Sequence, residues 1–139
     1  MSDLAAAVLA TAQAMNTVGI NRGAAGNVSA RCADSFIITP TGMAYDECVP
    51  EDMVKVGIGG APLKVGAGGT AQGTRKPSSE WRFHHDIYAA RSEAGAIIHA
   101  HSPFATALAC QQFEIPPFHY MIARFGGATV RCAAYATFG

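Results

Sequence analysis

Apolar side chains recur at helical spacing at the start of the chain. The positions that would share one helix face are Leu4, Ala7, Val8, Thr11, Ala12 and Met15. Ser2 or Asp3 can cap the first turn of such a helix, and Gly19 can end it. The pattern therefore predicts an amphipathic helix that ends at Gly19.

The rest of the chain alternates short β-like segments with turns and two further helices. Strands are predicted over residues 30–32, 35–38, 53–56, 63–65, 94–100 and 128–132. Helices are predicted from Ser78 or Ser79 to about Ala90 and from Ser102 to about Cys110. Residues 21–29 are too rich in glycine for a regular element and predict a turn. Because the elements do not alternate as βαβ repeats, we expect an α/β or α+β fold with a mixed, mostly antiparallel sheet.

Composition and length indicate a single folded domain over residues 1–139. Hydrophobic residues make up 50% of the chain and charged residues 14%, which argues against global disorder. Ten Lys and Arg balance ten Asp and Glu, so the formal net charge is zero. A surface this neutral lacks the positive potential that attracts nucleic acids or anionic membranes. We therefore expect neither as a partner, and the low charge favours burial of some surface against other subunits.

The cysteines favour a reducing compartment. Cys32, Cys48, Cys110 and Cys132 include no CxxC pair, which excludes a zinc knuckle or a thioredoxin-like dithiol. Scattered cysteines in a core-forming chain are typical of reduced thiols in the cytoplasm. The acidic start argues against a signal peptide, and no run approaches the roughly 18 apolar residues of a membrane span. We expect a cytoplasmic protein.

The sharpest candidate for chemistry is the pair His99 and His101 in the segment IIHAH. Residues two apart on a strand point to the same side, so both imidazoles would face one point. This arrangement suits Zn²⁺ or a similar ion. Two polar side chains on a wet sheet face are the alternative, but the position at the end of an apolar strand favours a metal.

Glu80 has two interpretations. An acid in the first turn of a helix is stabilised by the helix dipole, which is the simpler role and the one that spacing alone favours. Beside Trp81 and near a metal, the same carboxylate could act as a general base.

Three short turns, over residues 26–29, 39–42 and 78–79, are rich in small polar side chains. Their backbone N–H groups and hydroxyls can hold an anion without formal positive charge. Each turn alone is more simply a turn or a cap. None matches a nucleotide-binding loop of the GxxxxGK[ST] or GxGxxG type.

The remaining histidines and one tyrosine are ambiguous. Tyr120 follows His119 and two prolines, where its hydroxyl could donate a proton or its ring could simply be buried. His84 and His85 are adjacent on a predicted helix, so their side chains diverge and at most one could face a site. We interpret both as structural or solvent-facing.

Taken together, these segments resemble the class II aldolase/adducin family. The matching segments are GNVSAR at 26–31, ITPTGM at 38–43, KPSSEWRFH at 76–84, IIHAHS at 97–102, IPPFHYMIA at 115–123 and YATFG at 135–139. They occur in the order of the family and cover nearly the whole chain. The resemblance implies a three-layer α/β fold, with a central mixed, mostly antiparallel sheet flanked by helices.

The resemblance also implies roles for individual residues. His99 and His101 would bind Zn²⁺ or another divalent metal, and Glu80 would be the catalytic acid/base that also approaches the metal. Tyr120 would act at the site of a neighbouring subunit in a homotetramer, and Phe138 would shape the pocket. The implied phosphate-binding residues are Gly26, Asn27, Thr41, Gly42, Ser78 and Ser79.

The implied activity is cleavage of a sugar 1-phosphate, of the L-fuculose 1-phosphate type, to dihydroxyacetone phosphate and an aldehyde. The metal would act as a Lewis acid on the ketone, and Glu80 would exchange the proton beside the carbonyl. One alternative is a pentulose-phosphate 4-epimerase of the same family, in which Asp is typical at the position of Glu80. A non-catalytic adducin-like interaction module is the other.

The sequence departs from the family pattern in two places. Residues 57–75 form a longer and more glycine-rich connection than usual. The third zinc histidine of the family lies downstream of YATFG, where this sequence stops at Gly139. We therefore expect the C-terminal part of the fold to be missing from the sequence. A short natural product with a two-histidine site is the alternative.

Overall fold

The computed structural model of the chain describes residues 2–59 and 75–136. Contacts divide the chain into two compact units, Met1–Ala100 and His101–Gly139. The elements of the first unit are helix α1 (Ser2–Thr17), strands β1 (Asn27–Cys32), β2 (Ser35–Ile38) and β3 (Val54–Gly57), a 3-10 turn (Pro50–Asp52), helix α2 (Trp81–Ala90) and strand β4 (Ala96–His99).

The described strands of the first unit form one sheet with the order β3-β2-β1-β4. Ser29 in β1 lies between Ile38 of β2 and Ile97 of β4, and Asn27 lies opposite His99. The three strand pairings among the described residues are all antiparallel. The predicted α/β class with a mostly antiparallel sheet is confirmed.

A helix covers each face of this sheet. On one face, side chains of α1 share a buried cluster with Val28, Ala30 and Ile37. On the opposite face, Tyr88 of α2 packs in a buried cluster with Phe36, Ile38, Val54 and Val56. Because alternate residues of a strand point to opposite faces, Asn27, Ser29 and His99 lie on the α2 face. That face carries the polar side chains of interest.

The predicted first helix is confirmed, but its buried face is shifted. Ala5 and Leu9 are buried together with Val8, whereas Ala7, which the pattern assigned to the face, is exposed. Ala12 and Met15 continue the same buried stripe, and this stripe packs α1 against the sheet.

Of the local predictions for the first unit, the one for residues 27–29 is corrected and the one for residues 63–65 lies outside the described residues. Residues 27–29 were predicted as part of a turn, but they begin β1 because strands on both sides supply backbone partners. The predicted strand over residues 63–65 lies outside the described residues. Ala33 and Asp34, which separate the predicted strands over residues 30–32 and 35–38, form a turn, with Cys32 paired to Ser35 and Ala33 in the left-handed region at φ 51°.

The second unit contains helix α3 (Pro103–Cys110), as predicted, and a 3-10 helix (Tyr120–Phe125). The predicted strand over residues 128–132 is wrong. In the described part of this unit only an isolated bridge is formed there, in which Ile115 and Val130 exchange two backbone hydrogen bonds of 2.9 and 3.0 Å. Pro116 and Pro117 follow Ile115 and have no backbone N–H with which to extend the ladder.

The cysteines and the lengths of the helices complete the fold. All four cysteines are free thiols. Among the described helices, none is long and apolar enough to cross a membrane.

Candidate active site

Hydrogen bonds join the three polar turns of the first unit. The Thr39 N–H donates to the Val28 carbonyl at 3.1 Å, and the Val28 N–H donates to the Thr39 hydroxyl at 3.3 Å. The Ser78 N–H donates to the Thr39 carbonyl at 3.0 Å, and the Thr41 N–H donates to the Lys76 carbonyl at 3.1 Å. Turns that look independent in the sequence therefore meet around the fully buried Thr39.

Gly26 approaches its neighbours too closely for any other residue. A Cβ at this position would press against the His99 carbonyl and lie 2.7 Å from the Asn21 side-chain oxygen. The Gly26 carbonyl accepts a hydrogen bond from the Tyr45 hydroxyl. Burial raises the pKa of Tyr45, so this hydroxyl keeps the proton that it donates. Sequence reasoning missed Asn21 and Tyr45, which fix the chain just before Asn27.

Glu80 occupies the N-cap position of α2, but its carboxylate makes no capping hydrogen bond to the described helix. Its Oε2 instead accepts a 2.7 Å hydrogen bond from Asn27 Nδ2 and lies 3.3 Å from His99 Nε2. The helix-dipole role, which spacing alone favoured, does not explain this direction. A carboxylate directed into the site, as here, is what a general base requires.

Glu80, His99 and His101 each offer a ligand atom, and these atoms lie within 4.8 Å of one another. One carboxylate oxygen and two imidazole nitrogens are ligands that Zn²⁺ and similar ions accept. The donors therefore fit a divalent metal. The strand argument holds only for His99, because β4 ends there and His101 follows two residues later.

A chain of buried polar groups continues from Asn27 into the core. Asn27 Oδ1 lies 2.5 Å from His84 Nε2, His84 Nδ1 lies 2.7 Å from Ser29 Oγ, and Ser29 Oγ lies 2.8 Å from the Tyr88 hydroxyl. All four side chains are buried. Burial, assisted by the nearby charge of His99, lowers the pKa of His84 to about 4.

The two adjacent histidines of α2 do diverge, as predicted. His84 is fully buried, whereas His85 is half-buried and lies 3.0 Å from the Asp86 carboxylate. The interpretation of His84 as structural or solvent-facing missed its connection to Glu80 through Asn27. The available signal was the alternation of Asn27 and Ser29 on one face of a strand.

The predicted phosphate-binding residues are gathered in the first unit. Ser78 is buried, and its Oγ accepts a 3.3 Å hydrogen bond from the Glu80 N–H. Thr41, Gly42 and Ser79 are exposed. The Asn27 side chain differs from these, because its two ends are directed at Glu80 and at His84.

The first unit, which holds Glu80 and His99, contains neither Tyr120 nor Phe138. Tyr120 belongs to the second unit, where its side chain is 81% exposed and its ring lies 4.5 Å from that of His119. Phe138 lies outside the described residues. The roles assigned to both stay predictions.

Comparison with known proteins decides the family. Residues 6–139 match the family described as class II aldolase and adducin N-terminal domain. The chain belongs to this family. The resemblance noted from the ordered motifs is thereby confirmed, and class II aldolases are metal-dependent, in accord with the Glu–His–His donor set.

Relatives and a solved structure are similar over almost all of this chain. It is 48% identical over 128 residues, 92% of its length, to a 5-methylthioribulose-1-phosphate/5-deoxyribulose-1-phosphate aldolase of Rhodospirillum rubrum. It is 41% identical over 136 residues, 98% of its length, to an L-fuculose phosphate aldolase of Escherichia coli. An L-fuculose 1-phosphate aldolase structure superimposes on 99% of the chain with a TM-score of 0.85 and 35% identity.

The match covers these relatives only in part. The chain spans 54% of the Rhodospirillum rubrum protein, 59% of the Escherichia coli protein and 62% of the solved chain.

Proposed function

We propose that the protein containing this chain is a metal-dependent aldolase that cleaves a sugar 1-phosphate to dihydroxyacetone phosphate and an aldehyde. The observation that carries the proposal is the direction of the Glu80 carboxylate. It leaves its helix uncapped among the described residues, accepts a hydrogen bond from Asn27 and lies 3.3 Å from His99. The relatives named as sugar-phosphate aldolases support the same reaction.

Glu80, His99 and His101 would hold the metal, and Zn²⁺ is the ion that we propose for them. When bound, this ion would supply a Lewis acid for the ketone oxygen of the substrate.

Glu80 is the proposed acid/base. In the direction of aldol addition, its carboxylate takes a proton from the carbon beside the carbonyl of dihydroxyacetone phosphate, and in cleavage it returns that proton. The hydrogen bond from Asn27 holds Oε2 in place, which limits the reorientation needed before transfer. Tyr120 of a neighbouring subunit would serve the aldehyde oxygen, and Phe138 would shape the pocket.

The substrate phosphate would be held by neutral groups. Ser78, whose hydroxyl still has a proton to donate, and the exposed Thr41 and Ser79 can bind an anion, together with Gly26, Asn27 and the backbone of Gly42. Such a site is compatible with a formal net charge of zero. We further propose a cytoplasmic homotetramer without a nucleic-acid partner.

The test is an assay of dihydroxyacetone phosphate release by the zinc-loaded intact gene product. The panel is L-fuculose 1-phosphate, 5-methylthioribulose 1-phosphate and 5-deoxyribulose 1-phosphate. We expect turnover of at least one of them, and Glu80→Gln should lower kcat by about 10²- to 10⁴-fold. Glu93→Gln is the matched control, because Glu93 is exposed and paired with Arg91.

Two outcomes would contradict the proposal. Epimerisation of a pentulose phosphate without release of dihydroxyacetone phosphate would favour the epimerase alternative. Absence of both turnover and zinc binding would favour an adducin-like interaction module.

A further inference from the structure

We propose that His84 is a positioning residue that fixes the Asn27 amide with its N–H side toward the Glu80 carboxylate. Asn27 stands between His84 and the Glu80 carboxylate and is hydrogen-bonded to both. The effect on rate rests on the proposed function, whereas the hydrogen-bond direction does not.

The Asn27 amide can face its two neighbours in either of two ways. Rotation by half a turn exchanges its oxygen and nitrogen with almost no change in shape. An ionised carboxylate only accepts hydrogen bonds, so the Glu80 side needs the Asn27 nitrogen, as observed at 2.7 Å. The opposite side of the amide must then offer Oδ1, which requires a donor from the protein.

His84 supplies this donor. Its Nε2 lies 2.5 Å from Asn27 Oδ1, and because an amide oxygen cannot donate, Nε2 must carry the proton. Burial keeps the ring neutral, with its pKa lowered to about 4. A neutral imidazole has a single N–H, so Nδ1 is an acceptor.

Ser29 and Tyr88 can complete the same arrangement at the other end. Ser29 Oγ lies 2.7 Å from the bare His84 Nδ1 and must donate to it. Its single proton is then used, so the Tyr88 hydroxyl donates to Ser29 at 2.8 Å. Burial raises the pKa of Tyr88 and keeps this hydroxyl protonated. All four donors, from the Tyr88 hydroxyl through Ser29 and His84 to Asn27, therefore point along the chain toward Glu80.

The surroundings of the ring leave it few alternatives. His84 is fully buried, and Phe83 and Phe36 lie beside it with ring centroids 4.5 and 6.5 Å away. A half-turn of the ring would put Cε1 in place of Nε2 and Cδ2 in place of Nδ1. It would break the bonds to Asn27 and Ser29 in an apolar environment, where an unmade hydrogen bond is costly. The direction of the chain is thus built into the core.

The first test reads the tautomer directly, without activity. Long-range ¹H–¹⁵N spectra of the zinc-loaded intact gene product at pH 7 should show His84 protonated at Nε2 and bare at Nδ1. The resonance is assigned by its absence in His84→Gln. A proton on Nδ1 instead would overturn the proposal, because Asn27 would then have to turn its oxygen toward Glu80.

The second test uses two replacements of the same ring. The Gln side chain can place an N–H group near the position of Nε2, whereas the shorter Asn side chain reaches only the position of Nδ1. We expect His84→Asn to lower kcat for sugar-phosphate cleavage by about 10- to 100-fold with little change in KM. His84→Gln should recover most of the loss, and His85→Asn, at the adjacent half-buried histidine, should leave kcat unchanged.

Equal losses in His84→Asn and His84→Gln, or no loss in either, would overturn the positioning role. If the wild-type protein releases no dihydroxyacetone phosphate, the proposed function fails. The tautomer measurement then still decides the direction of the Asn27 amide.

Discussion

Replacement of Gly26 by Ala tests how closely the chain just before β1 approaches the end of β4. The new Cβ would press on the His99 carbonyl and lie 2.7 Å from Asn21 Oδ1. Neither neighbour yields easily, because the carbonyl belongs to a paired strand and the Asn21 side chain donates to Asn16 at 3.0 Å.

The magnitude follows from two opposing effects. Overpacking of a buried position costs about 1–3 kcal/mol. The lower backbone entropy of Ala in the unfolded chain offsets about 0.4–1 kcal/mol of this cost. We therefore expect Gly26→Ala to lower the free energy of unfolding by about 1–2 kcal/mol.

The assay is urea unfolding followed by far-UV circular dichroism and by the fluorescence of the single tryptophan, Trp81. Gly95→Ala is the matched control, since a Cβ at Gly95 meets no described atom within 4 Å and φ there is ordinary. The control should be as stable as wild type or slightly more stable. Equal unfolding midpoints for the two variants would refute the reasoning.

Three further predictions concern the core and one turn. Between pH 6.5 and pH 4, the free energy of unfolding of the wild type should fall by about 3 kcal/mol more than that of His84→Gln. The reason is that a histidine in the unfolded chain, with a pKa of 6.5, is protonated over this range, whereas folded His84 stays neutral down to about pH 4. Parallel pH profiles from urea unfolding would contradict this. Ser29→Ala should cost about 2 kcal/mol or more, since it leaves His84 Nδ1 and the Tyr88 hydroxyl without their partner; thermal unfolding measures it, and a neutral effect would show that the chain of bonds is not formed. Ala33→Gly should stabilise the protein by about 0.5–1 kcal/mol, because φ is 51° there and the side chain is exposed; a lower melting temperature would count against a left-handed Ala33.

Local sequence patterns predicted much of the fold. The period of apolar residues predicted α1, and the turn residues Ala33 and Asp34 predicted the β1–β2 hairpin. The start of β1 was missed because its stability comes from pairing with β4, far along the chain. The glycine-rich turn predicted over residues 21–29 includes Gly26, but Asn27, the next residue, already belongs to β1.

The candidate site was predictable where it depends on short spacing. His99 and His101 lie two residues apart, and with Glu80 they form the donor set. The direction of Glu80 was not predictable, because it depends on Asn27, 53 positions away in sequence. Ser29 and His84 are 55 positions apart in the sequence, so no local sequence pattern could predict their contact.

The central claim is that Glu80 moves a proton at the carbon beside a substrate carbonyl. Its most direct test is the exchange of that proton of dihydroxyacetone phosphate with D₂O, followed by ¹H NMR in the presence of the zinc-loaded intact gene product. We predict loss of the signal of one hydrogen with the wild type and about 10²- to 10⁴-fold slower loss with Glu80→Gln. No exchange with the wild type, or equal exchange with both proteins, would contradict the account.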